Sequence, residues 1–147
     1  PDASFDSIMC IEVLEHLPDP ARALGEFYRL LKPDGILLLT APFSSLTHLS
    51  PYYYQTGFSQ YYYDYWLNKL GFSIIELEFN GNYFEWLAQE IRRLPYMGQE
   101  YASESLTKME LQASEIVLGT LNRLSKKNTD SEKVLSFGLH IFAKKDK

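Results

Sequence analysis

Residues Ile36–Phe43 read ILLLTAPF and offer no polar side chain before Thr40. A run this short and this apolar reads as a strand covered on both faces. Parallel sheets with helices on either side supply such cover. Phe5–Ile11 (FDSIMCI) is a second apolar run with polar flanks. Between the two lies Pro18-Asp19-Pro20, where Asp19 suits an N-cap and Pro20 the first helical position, whose missing N–H costs nothing. Leu24, Phe27, Leu30 and Leu31 follow at helical spacing, and Lys32–Gly35 (KPDG) reads as a turn. The pattern is strand, helix, strand.

The remainder continues the alternation. Ser59 reads as the N-cap of a helix through Leu70, with Tyr62, Tyr63, Trp66, Leu67 and Leu70 on its apolar side and Gly71 as its left-handed stop. Phe72–Asn80 is a third strand, in which Ile75, Leu77 and Phe79 alternate with Glu76 and Glu78, so one of its faces is wetter. A helix over Tyr83–Leu94 is expected to stop at Pro95. A longer helix over about Glu104–Ser125 would place Leu106, Met109, Ala113, Ile116, Val117, Leu121 and Leu124 on one side. Leu135–Ala143 reads as the last strand. The whole, residues 1–147, is expected to be one α/β layered domain with a helical insertion at about 83–125. Ligands in such sheets lie at the carboxyl ends of the strands, which points to Cys10–His16, Thr40–Ser45 and the loop to Phe58.

Composition excludes several functions. The net charge is −5, and lysines cluster only as Lys126-Lys127 and Lys144-Lys145, which leaves no basic face for nucleic acid. No apolar run approaches the roughly 18 residues of a membrane span. The single cysteine, Cys10, allows no intrachain disulfide and fits a reducing, cytoplasmic setting.

Taken together, FDSIMCIEVLEHLPDP, LGEFYRLLKPDGILLLTAPF, GFSIIELEF and FGLHIFAKK resemble the second half of class I S-adenosylmethionine-dependent methyltransferases, in particular the type 11/23 subgroup. The resemblance implies a Rossmann-like, three-layer fold whose strands here run in the order 4-5-7-6, the last antiparallel. It implies S-adenosylmethionine as cofactor, with Cys10, Ile11 and Glu12 beside it. It also implies transfer of a methyl group to a small-molecule or glycan-like acceptor. The family's glycine-rich turn has no counterpart in these residues, so this stretch alone is expected to be inactive. The competing reading is a non-catalytic interaction module or a degenerate relative. If the family's first strand is missing, Phe5–Ile11 is left as an exposed edge, and a homodimer joined through it is expected.

Three groups of residues carry candidate chemistry. In a helical turn, Glu12, Glu15 and His16 share one side and could converge on magnesium or manganese. The alternative is that Glu15 and His16 brace the loop through local hydrogen bonds. His48, in THLSPYYY, has the pKa range of a general base, and His16 is a second candidate. Phe43, Tyr52, Tyr53 and Tyr54 could line an acceptor pocket, since tyrosine offers an apolar face and a polar tip.

Overall fold

The computed structural model describes all of Pro1–Lys147. It divides into two compact units, Pro1–Asn80 with Phe137–Lys147, and Gly81–Ser136. The single-domain expectation thus resolves into a sheet unit and a helical unit.

The sheet unit contains β1 (Phe5–Ile11), α1 (Pro20–Leu30), β2 (Leu31–Pro42), α2 (Gln60–Leu70), β3 (Phe72–Asn80) and β4 (Gly138–Lys145). The strand order is β1-β2-β4-β3. β1 runs parallel to β2, with Met9 beside Leu38 and Cys10 beside Leu39. β4 is antiparallel to both of its neighbours, β2 and β3. This is the order and polarity that the sequence implied.

Local chemistry starts and stops the elements as expected. Asp19 accepts from the Arg22 amide, and Pro20 opens α1. Gly71 ends α2 with φ of 93°. Lys145 reaches out from the end of the interior strand β4: its Nζ donates to the Tyr28 and Leu31 carbonyls at 2.8 and 2.9 Å and sits 4.2 Å from the centre of the Tyr28 ring. It therefore satisfies carbonyls at the end of α1 that the helix itself leaves open. The KPDG turn lies within the span of β2, where the β1 pairing slips between Phe5 and Ser7.

The core forms on one face of the sheet. Cys10, Leu37, Leu39, Ala41, Leu139, Ile141 and Ala143 point to it, against Leu24 of α1 and Tyr63 and Leu67 of α2. The other face carries Met9, 68% exposed, and Ile11, 47% exposed, beside the half-buried Leu38 and Thr40. Cover on both faces was expected for Ile36–Phe43, but this unit provides it on one. The reason is topological. Both crossovers, β1-α1-β2 and β2-α2-β3, step the same way across the sheet between parallel strands. Right-handed crossovers that advance in one direction deposit their helices on one side. The bare side is a shallow groove of about 260 Å³ that includes Ile11, Leu38, Glu76, Glu78, His140 and Phe142.

The helical unit departs from expectation at two points. α3 (Tyr83–Met97) does not stop at Pro95 but carries it inside and relaxes into a π turn over Gly98–Ala102. Proline removes the donor that would reach the Ile91 carbonyl one turn back, and the π turn follows at the carboxyl end of the helix. α4 spans Lys108–Ser125 and begins at Thr107, whose side chain forms a reciprocal capping box with Glu110. Leu121 is buried, but Met109 and Ile116 are 76% and 73% exposed, so the expected apolar stripe is not a core face here. The last strand begins at Gly138 rather than Leu135.

Because Leu39 lies at the centre of the core at 1% exposure, Leu39→Ala should cost about 2–5 kcal/mol through the cavity it leaves. Urea unfolding followed by circular dichroism should show a lower midpoint with an unchanged native spectrum. An unchanged midpoint would mean that this layer is not the stabilising one.

Candidate functional site

At the carboxyl end of β1 the backbone turns sharply. Glu12 adopts φ of 51°, in the left-handed region that non-glycine residues rarely use. Two contacts with the neighbouring strand hold it there. The Glu12 amide donates to the Thr40 carbonyl at 3.0 Å, and Thr40 Oγ1 donates to Glu12 Oε1 at 2.8 Å. The chain then makes a single 3₁₀ turn, Leu14–His16. The Glu15 carbonyl accepts from the Tyr54 and Gln55 amides at 2.9 and 3.2 Å, which ties the long loop after β2 to this turn. The loop's far end is closed by Gly57. There φ is 148°, and a Cβ would lie 2.3 Å from the Phe43 carbonyl oxygen, so no other residue fits.

The Glu15 side chain is fully buried, and neither carboxylate oxygen has a hydrogen-bond partner. Its pKa is raised, first by burial. Two imidazoles approach it, with His16 Nε2 at 3.7 Å and His48 Nε2 at 4.0 Å from Glu15 Oε1. Each imidazole uses its other nitrogen on a carbonyl: His16 Nδ1 lies 2.5 Å from the Tyr52 oxygen, and His48 Nδ1 lies 2.9 Å from the Leu46 oxygen. A carbonyl can only accept, so both Nδ1 atoms carry protons. In the neutral rings the lone pairs are therefore on Nε2 and face the carboxylate. Three lone-pair donors converge on one small volume, at separations too long for direct hydrogen bonds. Such a set calls for a shared cation, either a proton or a metal ion.

Tyr53 packs beside both imidazoles, with its ring centre 5.1 Å from His48 and 6.2 Å from His16. Its hydroxyl donates to the Ser45 carbonyl at 2.7 Å, which fixes the ring. The two imidazoles meet edge to face at 4.8 Å. His48 keeps 42% of its side chain exposed and His16 only 15%, so His48 is the one that an incoming molecule can reach.

The structure brings Glu15, His16 and His48 together and leaves Glu12 out. The carboxylate of Glu12 is instead engaged with Thr40, because the left-handed turn separates it from the Leu14–His16 turn. Of the expected Glu12-Glu15-His16 set, Glu15 and His16 lie together, and the third group beside them is His48 rather than Glu12. Among the expected pocket tyrosines, Tyr53 is beside the imidazoles, while Tyr52 and Tyr54 contribute their main chains and expose their rings at 66% and 47%. Phe43 is half-buried against the core. Ile11 is half-exposed at the end of β1, and Cys10 is buried.

Sequence reasoning assigned Tyr62 and Tyr63 to packing only. Both hydroxyls are buried without a partner. Burial, first, and then the Asp19 charge push the Tyr62 phenol up to about 12. The Tyr63 phenol is raised further, by burial first and then by charges including Glu12 and Glu15. The Cys10 thiol is pushed up to about 11 by burial and then by the charges of Glu15 and Glu12. No spacing rule marks these hydroxyls in the sequence; they become visible only when the helix face is known.

Residues 1–39 match the profile of a family described as "Methyltransferase domain". The fold agrees. A SAM dependent methyltransferase from Archaeoglobus fulgidus superposes over 99% of this chain and 61% of its own, with a TM-score of 0.54 and 15% identity. Phosphoethanolamine N-methyltransferase 2 of Haemonchus contortus, solved with S-adenosyl-L-methionine, superposes over 100% of this chain and 34% of its own, at a TM-score of 0.53 and 19% identity. The fold is that of a class I S-adenosylmethionine-dependent methyltransferase. In sequence, the ubiquinone biosynthesis O-methyltransferase of Haemophilus ducreyi is 50% identical over 36 residues, 24% of this chain. That match spans only 15% of the relative's length. The matched methyltransferase segment contains β1, the Glu15-His16 turn and α1, but not the loop that brings His48.

The raised acids of the sheet unit set an alkaline limit. A group whose folded pKa lies above its unfolded value contributes stability that is complete below the unfolded pKa and is lost as pH rises towards the folded one. For Cys10 that window runs from 9.0 to about 11, and for Tyr62 from 10.0 to about 12. The urea midpoint should therefore fall above about pH 9, and the raised Glu15 carboxyl acts with the same sign in the acid range, so Glu15→Gln should remove the acid-range part of the decline and leave the alkaline part. In the same preparation, native Cys10 should resist an aromatic disulfide reagent until urea unfolds the chain; rapid native labelling would contradict the burial assigned to it.

Proposed function

We propose that this chain takes part in S-adenosylmethionine-dependent methyl transfer to a hydroxyl group of a small-molecule or glycan-like acceptor. One observation carries the reading: two imidazole lone pairs aim at a buried, unpartnered carboxylate, and one of the imidazoles is open to solvent. The relative whose printed name is an O-methyltransferase supports an oxygen acceptor.

Methyl transfer to a hydroxyl needs a proton removed and an electrophile aligned. S-adenosylmethionine, when bound, supplies the electrophilic methyl carbon. On this reading His48 Nε2 accepts the acceptor's hydroxyl proton as oxygen bonds to that carbon. Bound there, the donor would supply the methyl group and keep the sulfur's electron pair as a neutral thioether, so the proton taken by His48 is the one charge that this chain's residues have to place. The proton on His48 is then stabilised by the charge of Glu15, while the Leu46 carbonyl keeps the ring in the tautomer that presents Nε2. His16, more enclosed and held by the Tyr52 carbonyl, fixes the other side of the carboxylate. Tyr53 prevents His48 from turning away.

The same donor set also suits a divalent cation. Glu15, His16 and His48 offer ligand atoms within 4.8 Å of one another, and both imidazoles already carry the carbonyl partner on Nδ1 that metal-bound histidines use. Held by these three residues, such an ion would lower the pKa of an acceptor hydroxyl through its charge.

Donor binding is supported by less of the chain. No two of its glycines are separated by a single residue, so no glycine-rich turn is formed; Cys10, Ile11 and Glu12 offer one wall of a donor site. The 147-residue chain is expected to bind S-adenosylmethionine no more tightly than millimolar in calorimetry and to show no turnover by itself. Micromolar binding would show that one wall suffices. To separate proton from metal, manganese should be titrated under electron paramagnetic resonance with wild type, Glu15→Gln and Glu12→Gln. The metal reading expects binding that is lost on Glu15→Gln and kept on Glu12→Gln. Absence of manganese binding in all three would leave the proton reading alone.

A further inference from the structure

α4 carries a feature that its own unit does not use. Its inward positions are Ser114, Leu118, Leu121 and Ser125, of which only Leu121 is fully buried. Around the helix from these lies a second row, Met109, Ala113, Ile116, Thr120 and Arg123, all exposed. The spacing is four, three, four, three, which is the seam of a helix that packs against another helix. Met109 and Ile116 are 76% and 73% exposed, and Val117 beside them is 43% exposed.

Two further observations say what fits this seam. The first is charge. Glu110 and Glu115 lie in the first half of α4, where Lys108 is the one basic residue, and Arg123 lies near its end, followed by Lys126 and Lys127. A second α4 running antiparallel about Ile116 places each net-acidic half against the other's basic end, with Glu110 opposite Asn122 and next to Arg123. A parallel copy would place like charges together. The second is Gly119. It lies inside α4, where glycine costs about 1 kcal/mol relative to alanine. A Cβ there would meet nothing within 4 Å, so no intrachain contact requires its absence. In an antiparallel pair turned about Ile116, Gly119 faces Ala113 and Ser114. Small residues on both sides of a crossing let two helix backbones approach closely.

We infer that α4 is a self-association surface: two copies of this chain pair antiparallel through Met109, Ala113, Ile116 and Thr120 about a two-fold axis near Ile116. An 18-residue helix is about 27 Å long, enough for an isologous contact along its whole seam. The outward edge of β1 offers a competing route to a dimer, and the experiment separates the two.

Sedimentation velocity on the full chain, across a low- to high-micromolar dilution series, is expected to show a monomer–dimer equilibrium. Ile116→Lys and Gly119→Leu alter solvent-facing positions, so circular dichroism should be unchanged for both, while the dimer dissociation constant rises about tenfold or more. Met9→Lys, on β1, should leave the dimer intact. Under mild oxidation Ile116→Cys should form a disulfide-linked dimer, because the axis brings that position to its own copy. Met109→Cys should not, because it lies opposite Arg123, and Cys10 is buried and stays silent. A monomer at every concentration, a dimer lost on Met9→Lys but kept on Ile116→Lys, or cross-linking at Met109→Cys would each overturn the proposal.

Discussion

The parallel ladder that sets Cys10 beside Leu39 and Ile11 beside Thr40 is the constraint on which the rest depends. Because β1 and β2 run the same way in this register, their carboxyl ends emerge side by side. Thr40 can then hold Glu12 through both a main-chain and a side-chain bond. That pair of bonds stabilises the left-handed turn, and the turn drops Glu15 below the surface. A slip of one residue would exchange the two faces of β1, bringing Met9 into the core and Cys10 out of it.

Glu15 then links two tasks at one position. Its carbonyl anchors the loop through the Tyr54 and Gln55 amides, and its carboxylate organises the imidazoles. A buried carboxylate without hydrogen bonds is costly, and its cost is the reason to regard the place as functional rather than as packing. The imidazoles come from opposite ends of the arrangement: His16 follows Glu15 directly, whereas His48 arrives from the loop beyond β2. Each is bonded to a backbone carbonyl and packed by the Tyr53 ring, so their orientation depends on the course of the loop and on that one side chain.

Much of this was legible before any coordinates. The strands announced themselves because Phe5–Ile11 and Ile36–Phe43 are apolar runs bounded by turn residues, and the α1 start because Asp19-Pro20 is chemistry that the N-terminus of a helix demands. Glu15 and His16 could be singled out as neighbours of a strand end. The partner of that pair could not. His48 is 32 positions from His16, and the loop path that returns it depends on amide contacts that leave no trace in residue type. Glu12 was grouped with Glu15 and His16 on the condition of a helical turn, and the positive φ of Glu12 places its carboxylate against Thr40 instead. Pro95 was read as a stop because local rules disfavour it inside a helix, and α3 continues through it to Met97. Met109 and Ile116 were read as one side of a helix with Leu121, and periodicity reports such an apolar side without saying what meets it.

The fastening of the loop over the site has a consequence for how such a chain can diversify. From Phe43 to Phe58 the loop is held largely by main-chain contacts: the Glu15 carbonyl on two amides, the Pro42 carbonyl on the Phe58 amide, and the Phe43 carbonyl pressed close to Gly57. Amides are common to every residue but proline. The exposed side chains Leu49, Tyr52 and Tyr54 can therefore be exchanged without unfastening it, provided Gly57, Ser45, Tyr53 and the buried Phe58 stay. Recognition of a new molecule could be written into Tyr52, Tyr54 or Leu49 while the carboxylate and its two imidazoles remain in place, so that the chemistry is inherited and its target is rewritten.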